Sequence, residues 1–276
     1  MNQPYLITHR MLMNLELVGK RALISGSTAG IGYAIAEKMA LEGASIIING
    51  RTQGRVDQAL EKLSRTGSRG SAKGLAADLG TAEGARRAVE LFPDVDILVN
   101  NLGIFEPKAF EKISDADWMR FFEVNVMSGV RLGRHHLPRM KQRNWGRIVF
   151  ISSESAVQIP AEMIHYGMTK TAQLAIARGM AETTAGTQVT VNSVLVGPTA
   201  SEGVIGFVDQ LAAQQKKDRA SVEKEFFRSM RPTSLLKRFI EPEEIGTFVT
   251  FLCSPLASAT NGAALRADGG VVRSIL

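Results

Sequence analysis

The sequence predicts an α/β fold on one doubly wound, mostly parallel sheet, and three observations carry that prediction. Short β-branched apolar runs alternate with alanine- and leucine-rich segments of helical period. The strand runs are apolar throughout, as strands of a parallel sheet covered on both faces must be. No Pro-, Gly- or Ser-rich linker and no internal repeat divides the 276 residues. One large domain with its own core follows.

The elements come in order. "RALIS" (21–25) is the first strand, running through the glycine turn "SGSTAGIG" (25–32) into the helix "IGYAIAEKMALEG" (31–43). "SIIIN" (45–49) precedes the helix "GRVDQALEKLS" (54–64), and the weaker strand "GLAAD" (74–78) precedes "AEGARRAVELF" (82–92). "DILVN" (96–100) leads to one long helical pattern over 115–140, and "RIVFIS" (147–152) to another over 168–184. "VTVNSVLV" (189–196) is followed by residues 198–240, which break the rhythm. So long an interruption in such a fold reads as a substrate lid. "PEEIGTFVTFLC" (242–253) and "AALRAD" (263–268) close the domain, taken as residues 13–276. Residues 1–12 read as an extension, with Met13 as an alternative start.

Composition narrows the function classes. With 45% hydrophobic and 22% charged residues the chain is not of the disordered type. No apolar run approaches the ~20 residues of a membrane span, and the N-terminus lacks a signal-peptide pattern. The single cysteine, Cys253 in "VTFLCS", can form no internal disulfide and reads as core packing. A cytoplasmic protein without a membrane partner is expected. The net charge of +6 is spread along the chain, except for "RLGRHHLPRMKQRNWGR" (131–147), read as a solvated helix face and its exit loop. No nucleic-acid motif accompanies it. His9, His135, His136 and His165 form no zinc pattern, and no metal is expected. His135 and His136, being adjacent, point in different directions on a helix, and His165 reads as a helix-surface residue. No G-x-S-x-G elbow supports a hydrolase.

Two stretches carry chemistry. Gly26, Gly30 and Gly32 allow a tight turn between strand and helix, where helix N–H groups can meet a phosphate. The second strand ends in Gly50 and Arg51, with no carboxylate to receive a ribose 2′-hydroxyl. Arginine matches a 2′-phosphate, so NADP(H) is preferred, with NAD(H) as the alternative. The second stretch is "HYGMTK" (165–170), with "FISSESA" (150–156) upstream. Tyr166 and Lys170 share one helix face at i, i+4, a pairing that helix stability alone does not require.

With the glycine turn, "NNLG" (100–103), Asn125, Ser153 and the Tyr166–Lys170 pair in order, the chain resembles the short-chain dehydrogenase/reductase family from about residue 18 to 273. The family's TGxxxGxG reads here as Ser25-Gly26-Ser27-Thr28-Ala29-Gly30-Ile31-Gly32, its NNAG as Asn100-Asn101-Leu102-Gly103 and its YxxxK as Tyr166 and Lys170. The resemblance implies a single Rossmann-type domain with a seven-stranded sheet, helices on both faces and a helical lid. It implies cofactor contacts from Gly26, Ser27, Thr28, Gly30, Ile31 and Gly32, from Arg51, from Asp78 and Leu79 at the adenine, and from Asn100 and Gly103. Tyr166, Lys170, Gly197, Thr199 and Ser201 complete that set; the family threonine falls at Ser201, with Thr199 as a substitute. Leu102 in place of alanine and Val196-Gly197-Pro198 in place of Pro-Gly depart from the pattern.

The implied catalytic set is Asn125, Ser153, Tyr166 and Lys170. Ser153, thirteen residues before the tyrosine, is the family serine, not Ser152. Ser153 would hydrogen-bond the substrate oxygen, Lys170 would bind the nicotinamide ribose, and Asn125 would hold a water relaying protons through Lys170. Tyr166 would be the acid in reduction and the base in oxidation. A free phenol, with a pKa of about 10, is a poor base at neutral pH. A neighbouring ammonium and an oxidised nicotinamide ring would stabilise its phenolate.

The expected function is an NADP(H)-dependent oxidoreductase acting on a small carbonyl or secondary alcohol. One alternative is a 3-oxoacyl-thioester reductase, its acyl carrier protein docking on Arg139, Lys141 and Arg143; coenzyme A thioesters belong to the same reading. Another is a non-catalytic NADP(H)-sensing protein. Apolar lid residues Val204, Ile205, Phe207, Val208, Leu211, Phe226, Phe227 and Met230 leave the substrate open. The resemblance implies a homotetramer or dimer.

Overall fold

Alternation along each strand sends neighbouring apolar side chains to opposite faces, so a sheet of such strands needs helices on both. The computed structural model describes residues 14–275. The extension 1–12 with His9, Met13 and the side chain of Phe207 lie outside that description. Seven strands form one sheet: β1 (Arg21–Ile24), β2 (Ser45–Gly50), β3 (Ala72–Ala76), β4 (Ile97–Asn100), β5 (Gly146–Ser153), β6 (Val189–Val196) and β7 (Ala264–Ala267). Their order is β3-β2-β1-β4-β5-β6-β7, and every neighbouring pair among the described residues is parallel. The sheet is thus wholly parallel where "mostly" was expected, and β3 begins two residues earlier than its apolar run.

The helices are α1 (Gly30–Leu41), α2 (Gln53–Ser64), α3 (Ala82–Leu91), α4 (Asp115–Phe122), α5 (Ser128–Gln142), α6 (Ile164–Glu182), α7 (Glu202–Gln215), α8 (Arg219–Ser229) and α9 (Pro242–Leu252). In β1, Ile24 joins the core under α1 and α9 with Ile35, Met39 and Val249, while Leu23 joins the opposite core with Leu132 and Phe150. Cys253 is buried in the first of these, as its apolar setting predicts. Residues 198–240 form α7 and α8 around a small apolar cluster of Val208, Val222, Phe227 and Phe239. Among the described residues no helix is long and apolar enough to cross a membrane.

Two details position the site. The pattern over 115–140 is not one regular helix, because a π-helical turn, Glu123–Met127, joins α4 to α5. β5 and β6 pair along their full length, with Ser153 opposite Val196. The segments that follow these strands therefore leave the sheet side by side. The order reverses at β1 and β4, where a doubly wound sheet opens a crevice at its carboxyl edge.

Candidate active site

The glycine turn after β1 is held from within. Asn49 on β2 accepts the Gly26 N–H through Oδ1 at 2.9 Å, and its carbonyl accepts the Ser27 N–H at 2.9 Å. Asn101 donates to the carbonyls of Ser25 and Gly26 at 3.0 and 3.1 Å. The backbone takes φ +62° at Gly26 and +55° at Gly30, the region glycine enters without a steric penalty. Ser27 is fully buried with its hydroxyl on the Ile24 carbonyl, so neither its hydroxyl nor its N–H faces the crevice. The free donors lie one turn on. Ala29 gives α1 no side-chain cap, and the first turn holds no carboxylate. The leading N–H groups of the Gly30–Gly32 stretch therefore lack intrahelical acceptors and suit a diphosphate. Ile31 lines the adjoining cavity.

At the end of β2, a Cβ on Gly50 would stand 2.5 Å from the Thr28 methyl. A side chain there would require the Thr28 side chain to turn aside. Arg51 is exposed and makes no hydrogen bond or ion pair among the described residues. Asp78 accepts the Gly80 N–H at 3.0 Å, and the Leu79 side chain is buried in the core, leaving its backbone for a ligand.

A cavity of about 230 Å³ opens at the ends of β4, β5 and β6. Gly103, Ser153, Tyr166, Lys170, Gly197, Thr199 and Ser201 all line it. Ser152 instead donates to the Lys170 carbonyl at 3.0 Å, tying β5 to α6. Lys170 is buried and donates to the Ile151 carbonyl at 2.8 Å and to Gln173 Oε1 at 3.3 Å. Burial pulls its pKa down to about 8, and the carboxylate of Glu154 opposes that fall. Burial raises the Tyr166 phenol above its ordinary value; Glu154 adds to the rise, while a Ser153 hydrogen bond and Arg231 oppose it.

Asn125 sits on the π turn, its amide clamped to both main-chain groups of Ile104 at 2.7 and 3.0 Å and to Thr169 Oγ1 at 3.0 Å. Its carbonyl accepts Gln173 Nε2 at 2.6 Å. The Gln173 side-chain amide thus bridges the Asn125 main-chain carbonyl and the Lys170 ammonium.

Three residues that sequence reasoning missed complete the cluster. Gln173 is one, one turn beyond Lys170. The others are Glu154 and Arg231, both buried and both lining the cavity. Arg231 Nε donates to Glu154 Oε1 at 2.9 Å, and its Nη1 donates to Glu162 at 3.2 Å. Ser153 donates its hydroxyl to the other oxygen of Glu154. Breaking one partner of such a buried pair costs about 3–5 kcal/mol. The signal was available in part: "SSES" places a carboxylate directly after the candidate serine.

The remaining candidates divide between the cavity and the interior. Asn100 turns its amide into the protein, where neither polar atom has a hydrogen bond among the described residues, whereas Asn101 lines the cavity. Thr199 donates its hydroxyl to the Gly197 carbonyl at 2.9 Å. Ser201 has its hydroxyl unbonded, and its Cβ lies 3.3 Å from where a Gly30 Cβ would stand, so Ser201 is the better-placed of the two. His165 is not at the helix surface: it is fully buried, its ring 4.0 Å from that of Phe121. Leu102 covers Gly26. Arg139 and Arg143 are engaged by Asp94 at 3.9 and 2.9 Å, and Arg147 is buried, so the basic run is only partly a solvated face.

Comparison with known proteins agrees with this geometry. The family profile described as Enoyl-(Acyl carrier protein) reductase matches residues 26–272. The chain is 51% identical to the uncharacterized oxidoreductase YvaG of Bacillus subtilis (strain 168), over 95% of this chain and all of that one. It is 32% identical to the 3-oxoacyl-[acyl-carrier-protein] reductase FabG of Aquifex aeolicus (strain VF5), over 94% and 100% of the two chains. Among solved structures, L-sorbose reductase from Gluconobacter frateurii, complexed with NADPH and L-sorbose, superposes with a TM-score of 0.88 at 31% identity, covering 95% of this chain and 100% of that one.

Proposed function

The chain belongs to the short-chain dehydrogenase/reductase family and is an oxidoreductase, and we propose that it transfers a hydride between NADP(H) and a small carbonyl or secondary alcohol. The observation that carries this reading is the grouping of Ser153, Tyr166 and Lys170 on one cavity beside the uncapped start of α1. Hydride transfer is the chemistry that a bound nicotinamide dinucleotide supplies. The start of α1 holds the diphosphate, Arg51 the 2′-phosphate, and Lys170 the ribose next to the nicotinamide, with Ser201 beside the turn. Tyr166 donates to the substrate oxygen, and Ser153 joins it by turning its hydroxyl from Glu154. Tyr166 gives its proton to that oxygen in reduction and takes it back in oxidation. Lys170, an ammonium below about pH 8, favours the phenolate through its charge. Residues 198–240 cover the cavity as a lid, with Val204, Phe226 and Met230 on its lining.

NADP(H) is preferred to NAD(H) because Arg51 is unengaged among the described residues and β2 ends in Gly50 with no carboxylate. The NADPH bound to L-sorbose reductase agrees with that choice. The acyl-carrier reading is less well supported, since Asp94 engages two of the three basic residues it relies on. Paired fluorescence titrations with NADPH and NADH test the cofactor assignment. NADPH is expected to bind more tightly, and Arg51→Ala to lose about 10- to 100-fold for NADPH with little change for NADH, the worth of charge-assisted phosphate contacts. Tighter binding of NADH by the parent protein would reject it.

A further inference from the structure

Proton transfer between Tyr166 and a substrate oxygen does not by itself call for a buried carboxylate beside the serine, yet Glu154 is one, 4% exposed. One of its oxygens accepts the Ser153 hydroxyl, and the other accepts Arg231 Nε at 2.9 Å. Arg231, 8% exposed, follows α8 and belongs to the 198–240 segment. Its Nη1 also donates to the Met230 carbonyl at 2.8 Å and to Glu162 at 3.2 Å. One ion pair therefore fastens that segment to the turn that carries the serine.

The arrangement has a positional and an electrostatic consequence. Donating to Glu154 and accepting the Ser155 N–H at 3.1 Å, the Ser153 side chain is held at the cavity, and its hydroxyl must turn to donate to a substrate oxygen. A buried negative charge beside a phenol opposes its ionisation, and a guanidinium on that charge cancels much of the opposition. The charged groups that face this corner are Glu154 after β5, Lys170 on α6, Glu162 before α6 and Arg231 after α8. Asp117, Glu106, Arg120 and Lys108, on the α4 side, act on His165.

We propose that Glu154 and Arg231 are positioning residues: Glu154 holds the Ser153 side chain at the cavity by accepting its hydroxyl, and Arg231 offsets the Glu154 charge, so that Tyr166 ionises more readily when the 198–240 segment is seated. The proposal rests on the acid–base role given to Tyr166 above. It makes the seating of that segment a control on the proton chemistry as well as on access to the cavity.

The test is an ultraviolet titration of the Tyr166 phenol in the full chain with NADP+ bound, read as the difference from Tyr166→Phe protein. Glu154→Gln keeps the shape and one acceptor oxygen while removing the charge. It is expected to lower the midpoint by about one pH unit, and Arg231→Met to raise it by a similar amount. The double variant is expected near the parent value and above Glu154→Gln alone. That last comparison stands even if Arg231→Met does not fold, because the double variant holds no unpaired buried charge. Amide hydrogen exchange in α7 and α8 should quicken in the double variant while that of α6 is unchanged. Midpoints that do not move, or that move in the same direction in both single variants, overturn the charge balance. Unchanged exchange in α7 and α8 overturns the link to seating. Turnover enters neither reading, so a Tyr166→Phe protein that keeps its activity would remove the catalytic role of Tyr166 without deciding the charge balance.

Discussion

Gln173 uses both ends of its amide inside the protein, accepting from Lys170 and donating to the Asn125 carbonyl. The chemistry of those partners fixes which end is which, since an ammonium can only donate and a carbonyl can only accept. Its oxygen favours the charged form of Lys170, against burial. The sign follows: Lys170 is an ammonium below about pH 8 and neutral above it, so losing the acceptor moves that midpoint down. Gln173→Leu should lower the Lys170-linked limb of the pH–turnover profile by about one unit, the size of a hydrogen bond to a charged group. Gln173→Glu should raise it. Shifts of the same sign in both variants would mean that Gln173 acts only through packing. Tyr166, Lys170 and Ser153 were legible because three residue types at set spacings narrow the choice jointly. Gln173 and Arg231 were not. A glutamine on a helix has many uses, and Arg231 meets Glu154 across 77 residues of sequence. Sequence spacing gives a position but not the direction of a side chain, as the inward-turned Asn100 amide shows.

Helices and strands were read from their apolar period, and that works where a regular element faces a core. It fails at Glu123–Met127, because one extra residue per turn leaves apolar residues on roughly the same side and the pattern over 115–140 unbroken. That turn is also where Asn125 is brought to Ile104 and Gln173. Close helix contact is equally hidden in sequence. Gly246 lets α9 approach α1 until a Cβ would stand 2.8 Å from the Ala34 carbonyl oxygen. Backbone cannot yield there as a flexible side chain can. Gly246→Ala should therefore destabilise the protein by about 1–3 kcal/mol despite the better helix propensity of alanine, read as a lower urea midpoint at unchanged slope. A rise in the midpoint would show that the two helices separate without cost.

At the scale of the whole molecule, the strand–helix alternation was enough for one doubly wound sheet, and strand order puts the glycine turn, the serine and the tyrosine helix at its carboxyl edge. What the alternation could not give is the content of residues 198–240. Their cluster of Val208, Val222, Phe227 and Phe239 is local, and the contacts that hold them over the cavity depend on tertiary placement. On the proposed reading the substrate is chosen there, beyond the reach of a motif. The most direct measurement follows NADPH oxidation over a panel of small ketones, ketoses and 3-oxoacyl thioesters, in the parent protein and in Tyr166→Phe. The parent should oxidise NADPH with at least one carbonyl of the panel. Tyr166→Phe should bind NADPH as before and lose about 10²- to 10⁴-fold in turnover, the contribution of a positioned acid. A Tyr166→Phe protein that binds NADPH and turns over as fast as the parent would contradict the assignment.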